Sequence, residues 1–347
     1  MKNRVLNADV LRVAAIFLVI VIHTVSLDFG SYPIASYQWQ TLNIYNGFSR
    51  ISVPLFFMVS GIFFLDPQKE VPIKKLYQKN IFRIVLAFIF WSALYALIFT
   101  VYEYRTINSH VVKAMYQAFI EGHFHLWFLF RLIEVYVMIP FLRKIAEDKR
   151  LIEYFLFFCF VVGFLNPTYQ AFPLKSTTTI VERGLNLDIT FGYLGYFFAG
   201  YYLSRYSLSK IAKLFLYSLG IAGVVGTIVV ASKHSLETGQ PYKLTYEYLT
   251  PNVFFASAAV FLFVKESLQQ HAFSESTGKA VIELSRFSFG IYLIHILIRF
   301  ILAKSGLTTL LFTPILSVPL MSLLLFLISY VCVKLMAKVP FLERFIL

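Results

Sequence analysis

Two side chains on one apolar stretch define the first chemistry to be explained. Arg12 and His23 lie eleven residues apart, and at about 100° per residue they return to nearly one helix face, about 16 Å apart along the axis. Asp9 sits one turn before Arg12 and is placed to pair with it. A cationic anchor and a titratable imidazole on one stripe suit the binding of an anionic reactant and the movement of a proton. Taken singly, Arg12 reads as a snorkelling arginine and His23 as a satisfied core histidine; with Asp9 beside them, those readings fail together. A second group runs Glu121-Gly122-His123-Phe124-His125-Leu126-Trp127. Trp127 suits an interfacial anchor, whereas His125 is placed to line a cavity facing His23. Arg131 and Glu134, three apart in an apolar run, need each other or a wet cavity. Ser288, Tyr292 and His295 recur at four and three residues as one polar stripe, either hydrogen-bonded glue or a site. Ser60 and Gly61 are small enough for close helix packing, and Arg50 reads as a snorkelling residue. The segment holding Lys69, Lys74, Lys75, Lys79 and Arg83 is the most basic of the chain; it reads as a topology signal or as a phosphate-binding surface.

The elements that position these residues follow from composition. The chain has 347 residues, 59% hydrophobic and 14% charged, with a mean hydropathy of +0.72. Soluble domains carry about 25% charged residues, so a soluble protein of ordinary kind is excluded. Apolar blocks of about 20 residues, the length that crosses a bilayer core, recur near 8–28, 46–65, 81–101, 125–142, 151–166, 188–204, 211–231, 248–265, 286–304 and 309–337. The last contains Pro314 and Pro319, so its membrane part is expected to begin after the second proline. The expectation is an all-α, polytopic integral membrane bundle of about ten transmembrane helices, forming a single domain over 1–347.

Charge sets the orientation. With a cytoplasmic N-terminus, twenty of the 31 basic residues fall in inside segments, Lys2 and Arg4 among them. Seven fall outside (Arg105, Lys113, Lys175, Arg183, Lys233, Lys243, Lys304), and Arg12, Arg50, Arg131 and Arg299 lie within helices. The positive-inside bias therefore places both termini in the cytoplasm and accounts for most of the net charge of +13, which does not imply nucleic acid. Lys2 and Arg4 before an apolar run resemble a signal peptide, but Asp9 and Arg12 interrupt the run and a retained first helix is expected. Cys159 and Cys332 both lie in apolar blocks, with no metal-like spacing and no disulfide framework. The gaps at 29–45, 105–124, 167–187 and 232–247 are too short for a folded domain, so any catalysis belongs within the bundle or at its mouths.

These residues resemble the membrane acyltransferase 3 family. Asp9-Val-Leu-Arg12, ten residues and His23 resemble its Arg-x10-His signature. Val53-Pro54-Leu55-Phe56-Phe57-Met58-Val59-Ser60-Gly61, Lys79 to Arg83, His125-Leu126-Trp127-Phe128, the stretch Gly195 to Leu203, and Ser288 to His295 follow in the expected order. Each is weak alone; the ordered set is specific and covers nearly the whole chain. In outline the chain is most similar to the single-domain group of O-acetyltransferases acting on enterobacterial common antigen. One departure stands out: the family's cytoplasmic Arg-x-x-Arg reads here Asn80-Ile81-Phe82-Arg83, and Lys79 cannot reproduce a bidentate guanidinium contact. Arg131 and Glu134 stand where relatives usually carry apolar or small residues, and no extracytoplasmic hydrolase-like domain is expected.

The resemblance implies an O-acyltransferase of the inner (cytoplasmic) membrane, moving an acetyl or other short acyl group from cytoplasmic acetyl-CoA, or another acyl-CoA, to a hydroxyl of a cell-envelope carbohydrate or lipid-linked glycan. His23 is then the catalytic residue, as general base or as acyl carrier, two routes the sequence does not separate. Arg12, Lys74, Lys75, Lys79 and Arg83 become the donor-binding set. Asp9, Ser60, His125, Trp127, Arg131, Glu134, Tyr292 and His295 are supporting polar or substrate contacts. No metal is implied; membrane lipid surrounds the chain, and a homo-oligomer is left open. Two other classes compete with this reading: a glycan or glycolipid transporter or flippase, against which no convincing internal repeat is seen, and a receptor-like sensor or scaffold.

Overall fold

The computed structural model describes residues 6–105, 108–170, 188–269 and 273–347. Lys2, Arg4, Lys175 and Arg183 of the charge division lie outside the described residues. Among the described residues the chain is helical with no strand, and nine helices are long and apolar enough to cross a membrane. In chain order the elements are α1 (Leu6–Asp28), α2 (Tyr37–Ser49), α3 (Ser52–Phe64), α4 (Ile73–Tyr104), α5 (Ser109–Glu121), α6 (Trp127–Ile145), α7 (Lys149–Phe160), α8 (Asp188–Arg205), α9 (Lys210–Thr238), α10 (Pro251–Gln269), α11 (Glu275–Lys304), α12 (Pro314–Met336) and the short α13 (Pro340–Phe345).

The sixth expected block, 188–204, is the helix α8, which is not among those nine. Its tyrosines and glycines lower its hydropathy, and its place explains why it needs no lipid-like surface. Tyr193, Tyr196, Phe197, Phe198 and Tyr201 are all buried, so α8 meets protein rather than acyl chains. It lies against α3 with the two backbones in direct contact. A Cβ on Gly61 would stand 1.9 Å from the Phe197 carbonyl oxygen, and one on Gly200 2.0 Å from that of Met58. Small residues at a membrane helix crossing serve this approach.

α1 threads the centre of the bundle, packed against α3, α11, α12 and α2. Asp9 accepts a 2.6 Å hydrogen bond from Ser285 near the start of α11, and Arg286 beside it hydrogen-bonds Glu343 of α13. The starts of α1 and α11 and the C-terminal α13 therefore lie at one end of the bundle, the terminal face; the C-terminal ends of α1 and α11 point to the far face.

Proline explains two departures from plain spans. Pro54 offers no N–H to the carbonyl four residues back, that of Arg50, and the second span parts there into α2 and α3. In α12 the helix begins at Pro314, six residues earlier than the membrane part was expected to, and runs through Pro319. The carbonyl that Pro319 leaves without a helical donor is that of Ile315, and Tyr45 supplies one at 3.0 Å.

The fourth span is broken. The gap expected at 105–124 holds the amphipathic α5, capped by the Asn108 side chain on the Val111 N–H, and α5 folds back along α4. Ser92, near the middle of α4, donates a 2.6 Å hydrogen bond to the Phe119 carbonyl. At Gly122 the backbone turns through φ +76°, and a Cβ there would meet the Phe88 ring at 2.8 Å, so glycine is required twice over. Residues 122–126 bridge to α6 inside the bundle, with only a 3₁₀ turn at Phe124–Leu126. Non-helical backbone at membrane depth is stable where protein surrounds it.

Candidate active site

A cavity of about 280 Å³ opens towards the terminal face. Arg12 of α1, Ser60 of α3, Lys79, Asn80 and Arg83 of α4, Tyr136 of α6, and Ser285, Arg286, Ser288 and Tyr292 of α11 line it. Four of these are cations and none is a carboxylate. α4 achieves this by winding as a π-helix over Leu76–Ile81; the wider turn brings Lys79, Asn80 and Arg83 to one wall together. π-turns within α-helices occur frequently at functional sites.

Each cation has a distinct setting. Arg12 lies over the Phe63 ring, 4.8 Å from its centroid. Arg83 lies 5.8 Å from the Phe289 centroid, and its Nε is buried without a hydrogen-bond partner among the described residues. Arg286 is engaged by Glu343. Ser60 donates its hydroxyl to the Phe56 carbonyl at 2.9 Å, which fixes it as wall rather than as a free donor.

Tyr292 closes the cavity on its inner side, its hydroxyl donating to the His125 carbonyl on the bridge of the broken span. Beyond it lie four histidines. The His23 and His295 rings are 5.1 Å apart, the His125 and His295 rings 5.6 Å, and the His123 and His125 rings 5.1 Å. His125 and His295 are buried, and His23 keeps partial exposure.

The hydrogen bonds assign the protons. A carbonyl only accepts, so Nε2 of His125, 3.4 Å from the Leu293 oxygen, carries its hydrogen. A neutral His125 then accepts at Nδ1 from His123 Nδ1, 3.0 Å away. His295 donates from Nδ1 to the Tyr292 carbonyl at 2.6 Å, leaving Nε2 as a lone-pair acceptor, buried and without a partner among the described residues. Tyr95 ties this region down: its hydroxyl donates to the Leu293 carbonyl at 2.8 Å and accepts from the Leu297 N–H at 3.2 Å.

The expected site residues thus divide. Arg12, Ser60, Lys79, Arg83 and Tyr292 surround one cavity; His23, His125 and His295 form the cluster behind Tyr292; Asp9 supports the cavity through Ser285. Lys74 and Lys75 are exposed outside the lining. Arg131 and Glu134 pair with each other at 2.8 Å. Trp127 and Arg131 line a separate groove with Tyr193 and Tyr248, away from His23. Sequence reasoning passed over His123, Arg50 and Arg299. Arg299 follows His295 by one helical turn, a spacing that would have placed it on the same stripe.

The described residues form a polytopic helical bundle in which a cation-lined cavity lies next to a histidine cluster. Residues 5–334 match the family model described as an acyltransferase domain, and the chain belongs to the acyltransferase 3 family; it is an acyltransferase acting on groups other than aminoacyl groups. No curated protein and no solved structure matches it significantly. Among the described residues, no three His, Cys, Asp or Glu side chains are placed to hold a metal ion.

Proposed function

We propose that this acyltransferase takes an acetyl or other short acyl group from acyl-CoA and places it on a hydroxyl of a cell-envelope carbohydrate or lipid-linked glycan. The observation that carries the reading is the cation-lined cavity, separated from His23 by little more than Tyr292 and His295. The terminal face is then cytoplasmic and the membrane the inner one, in line with the excess of Lys and Arg on that side.

A bound CoA thioester supplies an electrophilic carbonyl and a good leaving group. Arg12 and Arg83 hold its phosphates through planar, fork-like donors, and Lys79 adds a point charge; the unpartnered Nε of Arg83 fits that task. The acceptor arrives from the far face. His23 takes the hydroxyl proton as the new carbon–oxygen bond forms and the carbon–sulfur bond breaks, and the proton leaves with the thiol. His23 acting as the acyl carrier reaches the same products in two transfers. The buried lone pair on His295 Nε2, on the ring next to His23, is available to accept such a proton.

The test is equilibrium binding of labelled acetyl-CoA to the purified full chain. Saturable binding is expected, weakened about 10-fold to 100-fold by Arg83→Gln, the worth of one charge-assisted hydrogen bond. Absence of saturable binding, or binding indifferent to Arg83→Gln, removes the donor assignment.

A further inference from the structure

Beyond the histidine cluster, on the side away from the cationic cavity, stand two arginines that the donor reading does not use. Arg299 lies one turn past His295 on α11 and donates from Nη1 to the His23 carbonyl at 2.7 Å. Arg50, at the break between α2 and α3, donates from Nη2 to Asn46 Oδ1 at 2.6 Å. It packs on the Tyr246 and Tyr248 rings, 5.0 and 5.8 Å from their centroids. The charges of both guanidinium groups reach the His23 imidazole.

Both are incompletely satisfied. The Nε atoms of Arg50 and Arg299 are buried without a hydrogen-bond partner, and among the described residues neither guanidinium has a carboxylate within ion-pair distance. Asp28, the acid whose charge acts on Arg299, spends its Oδ2 on the N–H and hydroxyl of Thr309. Charged side chains inside a membrane bundle are costly and are normally paired. Arg299, bonded to the His23 main chain, and Arg50, whose charge acts on the same imidazole, each have a donor to spare and form a half-built anion site.

The position narrows the ligand. Arg12, Lys79 and Arg83 serve the terminal face, whereas α3 separates Arg50 from Ser60 of the cavity wall by ten residues, about 15 Å of helix. One donor-derived anion cannot occupy both places at once. Tyr248, whose ring meets Arg50, also lines the groove of Trp127, Arg131 and Tyr193. Its ring lies 5.8 Å from that of Trp127 with the planes 30° apart. The aromatic groove therefore shares one wall residue, Tyr248, with Arg50.

Resting on the acyl-transfer reading above, we propose that the acceptor is an anionic glycan. Arg50 and Arg299 bind its acid group, a uronic-acid carboxylate or a sugar phosphate, and so present a nearby hydroxyl to His23. The shared chemistry is a monoanionic or dianionic oxygen cluster on a pyranose. Planar guanidinium groups recognise either form bidentately.

The full chain in nanodiscs of zwitterionic lipid is titrated with three probes: a glucuronate-terminated trisaccharide, glucose 1-phosphate and a neutral glucose trisaccharide. Acetyl-CoA binding is measured in parallel. Expected is binding of at least one charged probe, weakening with added salt, with the neutral trisaccharide at least tenfold weaker. Which charged probe binds better separates the carboxylate from the phosphate source. Arg299→Gln and Arg50→Gln are each expected to weaken the charged probe about tenfold or more and to narrow its advantage over the neutral one. Acetyl-CoA affinity should hold within about twofold, which also reports that the variants are folded. Arg299→Lys and Arg50→Lys should keep part of the charge selectivity, an effect that a merely structural role for these side chains does not produce. Equal binding of charged and neutral probes, or charged binding untouched by either glutamine variant, overturns the proposal. Displacement of both charged sugars by an anionic phospholipid added to the nanodiscs overturns it too. Loss of acetyl-CoA binding in the unmodified protein instead strikes the donor reading.

Discussion

Substituting Gly61 by alanine tests the contact on which the site's geometry rests. A Cβ at Gly61 would lie 1.9 Å from the Phe197 carbonyl oxygen, whereas ordinary contact begins at 3.4 Å. α3 must therefore retreat from α8 by about 1.5 Å. Overpacking of this kind costs about 1–3 kcal/mol. Here the obstacle is main chain on a buried helix with no flexible end to yield, so a value near 3 kcal/mol is expected. α3 also carries Ser60 in the cavity wall and follows directly from Arg50, so the shift moves both sides of the site relative to His23. A misplacement of about 1 Å can lower turnover about 100-fold. Gly61→Ala and Gly200→Ala should both show a lowered thermal-unfolding midpoint and a transfer rate reduced by about that factor. Gly226→Ala serves as control, because its added methyl meets nothing within 4 Å. A Gly61→Ala protein with the parental midpoint and rate would mean that α3 and α8 do not touch as described.

Three further outcomes follow from the site. His23→Gln should abolish acyl transfer, measured as CoA thiol release with acceptor present, while acetyl-CoA binding stays within about twofold; full activity would remove His23 from the chemistry. Asn80→Arg restores a second guanidinium to the π-wound wall beside Lys79 and Arg83, and should tighten acetyl-CoA binding several-fold with a steeper salt dependence; weaker binding would show that the cations repel one another rather than share an anion. Arg143 donates to the carbonyls of Phe64 at 2.8 Å and Asp66 at 3.0 Å and to that of Lys69, closing the end of α3. Because the side chain is partly exposed, Arg143→Ala should lower stability by only about 1–2 kcal/mol, read as a modest drop in unfolding midpoint.

Much of this arrangement was legible in the chain. The Arg12–His23 stripe and the Ser288–Tyr292–His295 stripe emerge from helical spacing alone, and they face the same cavity and cluster because α1 and α11 pack together. The break at Gly122 was not legible. α5 is amphipathic over Ser109–Glu121 and falls below an apolar-block reading, so the gap at 105–124 gave no sign of a helix or of the bridge that carries His123 and His125. Lys74 and Lys75 shared the charge signal of Lys79, but only the π-helix decides which lysine turns inward, and hydropathy carries no trace of it. Arg50 read as a snorkelling side chain because spacing along one helix says nothing of Tyr246 and Tyr248, which come from a distant segment. Arg131 and Glu134 pair with each other, one of the two outcomes that their place in an apolar run allowed.

The polarity of α8 bears on how the protein is made. A helix whose buried face is built from tyrosine and glycine gains little from entering lipid alone, unlike the strongly apolar α1, α4 or α12. Its stable residence depends on the groove that α3 offers, with the main chains meeting at Gly61 and Gly200. α8 is synthesised well after α3, so the groove is already waiting when it emerges. Membrane insertion of the centre is thus a templated step, in which earlier spans act as the solvent that later ones require.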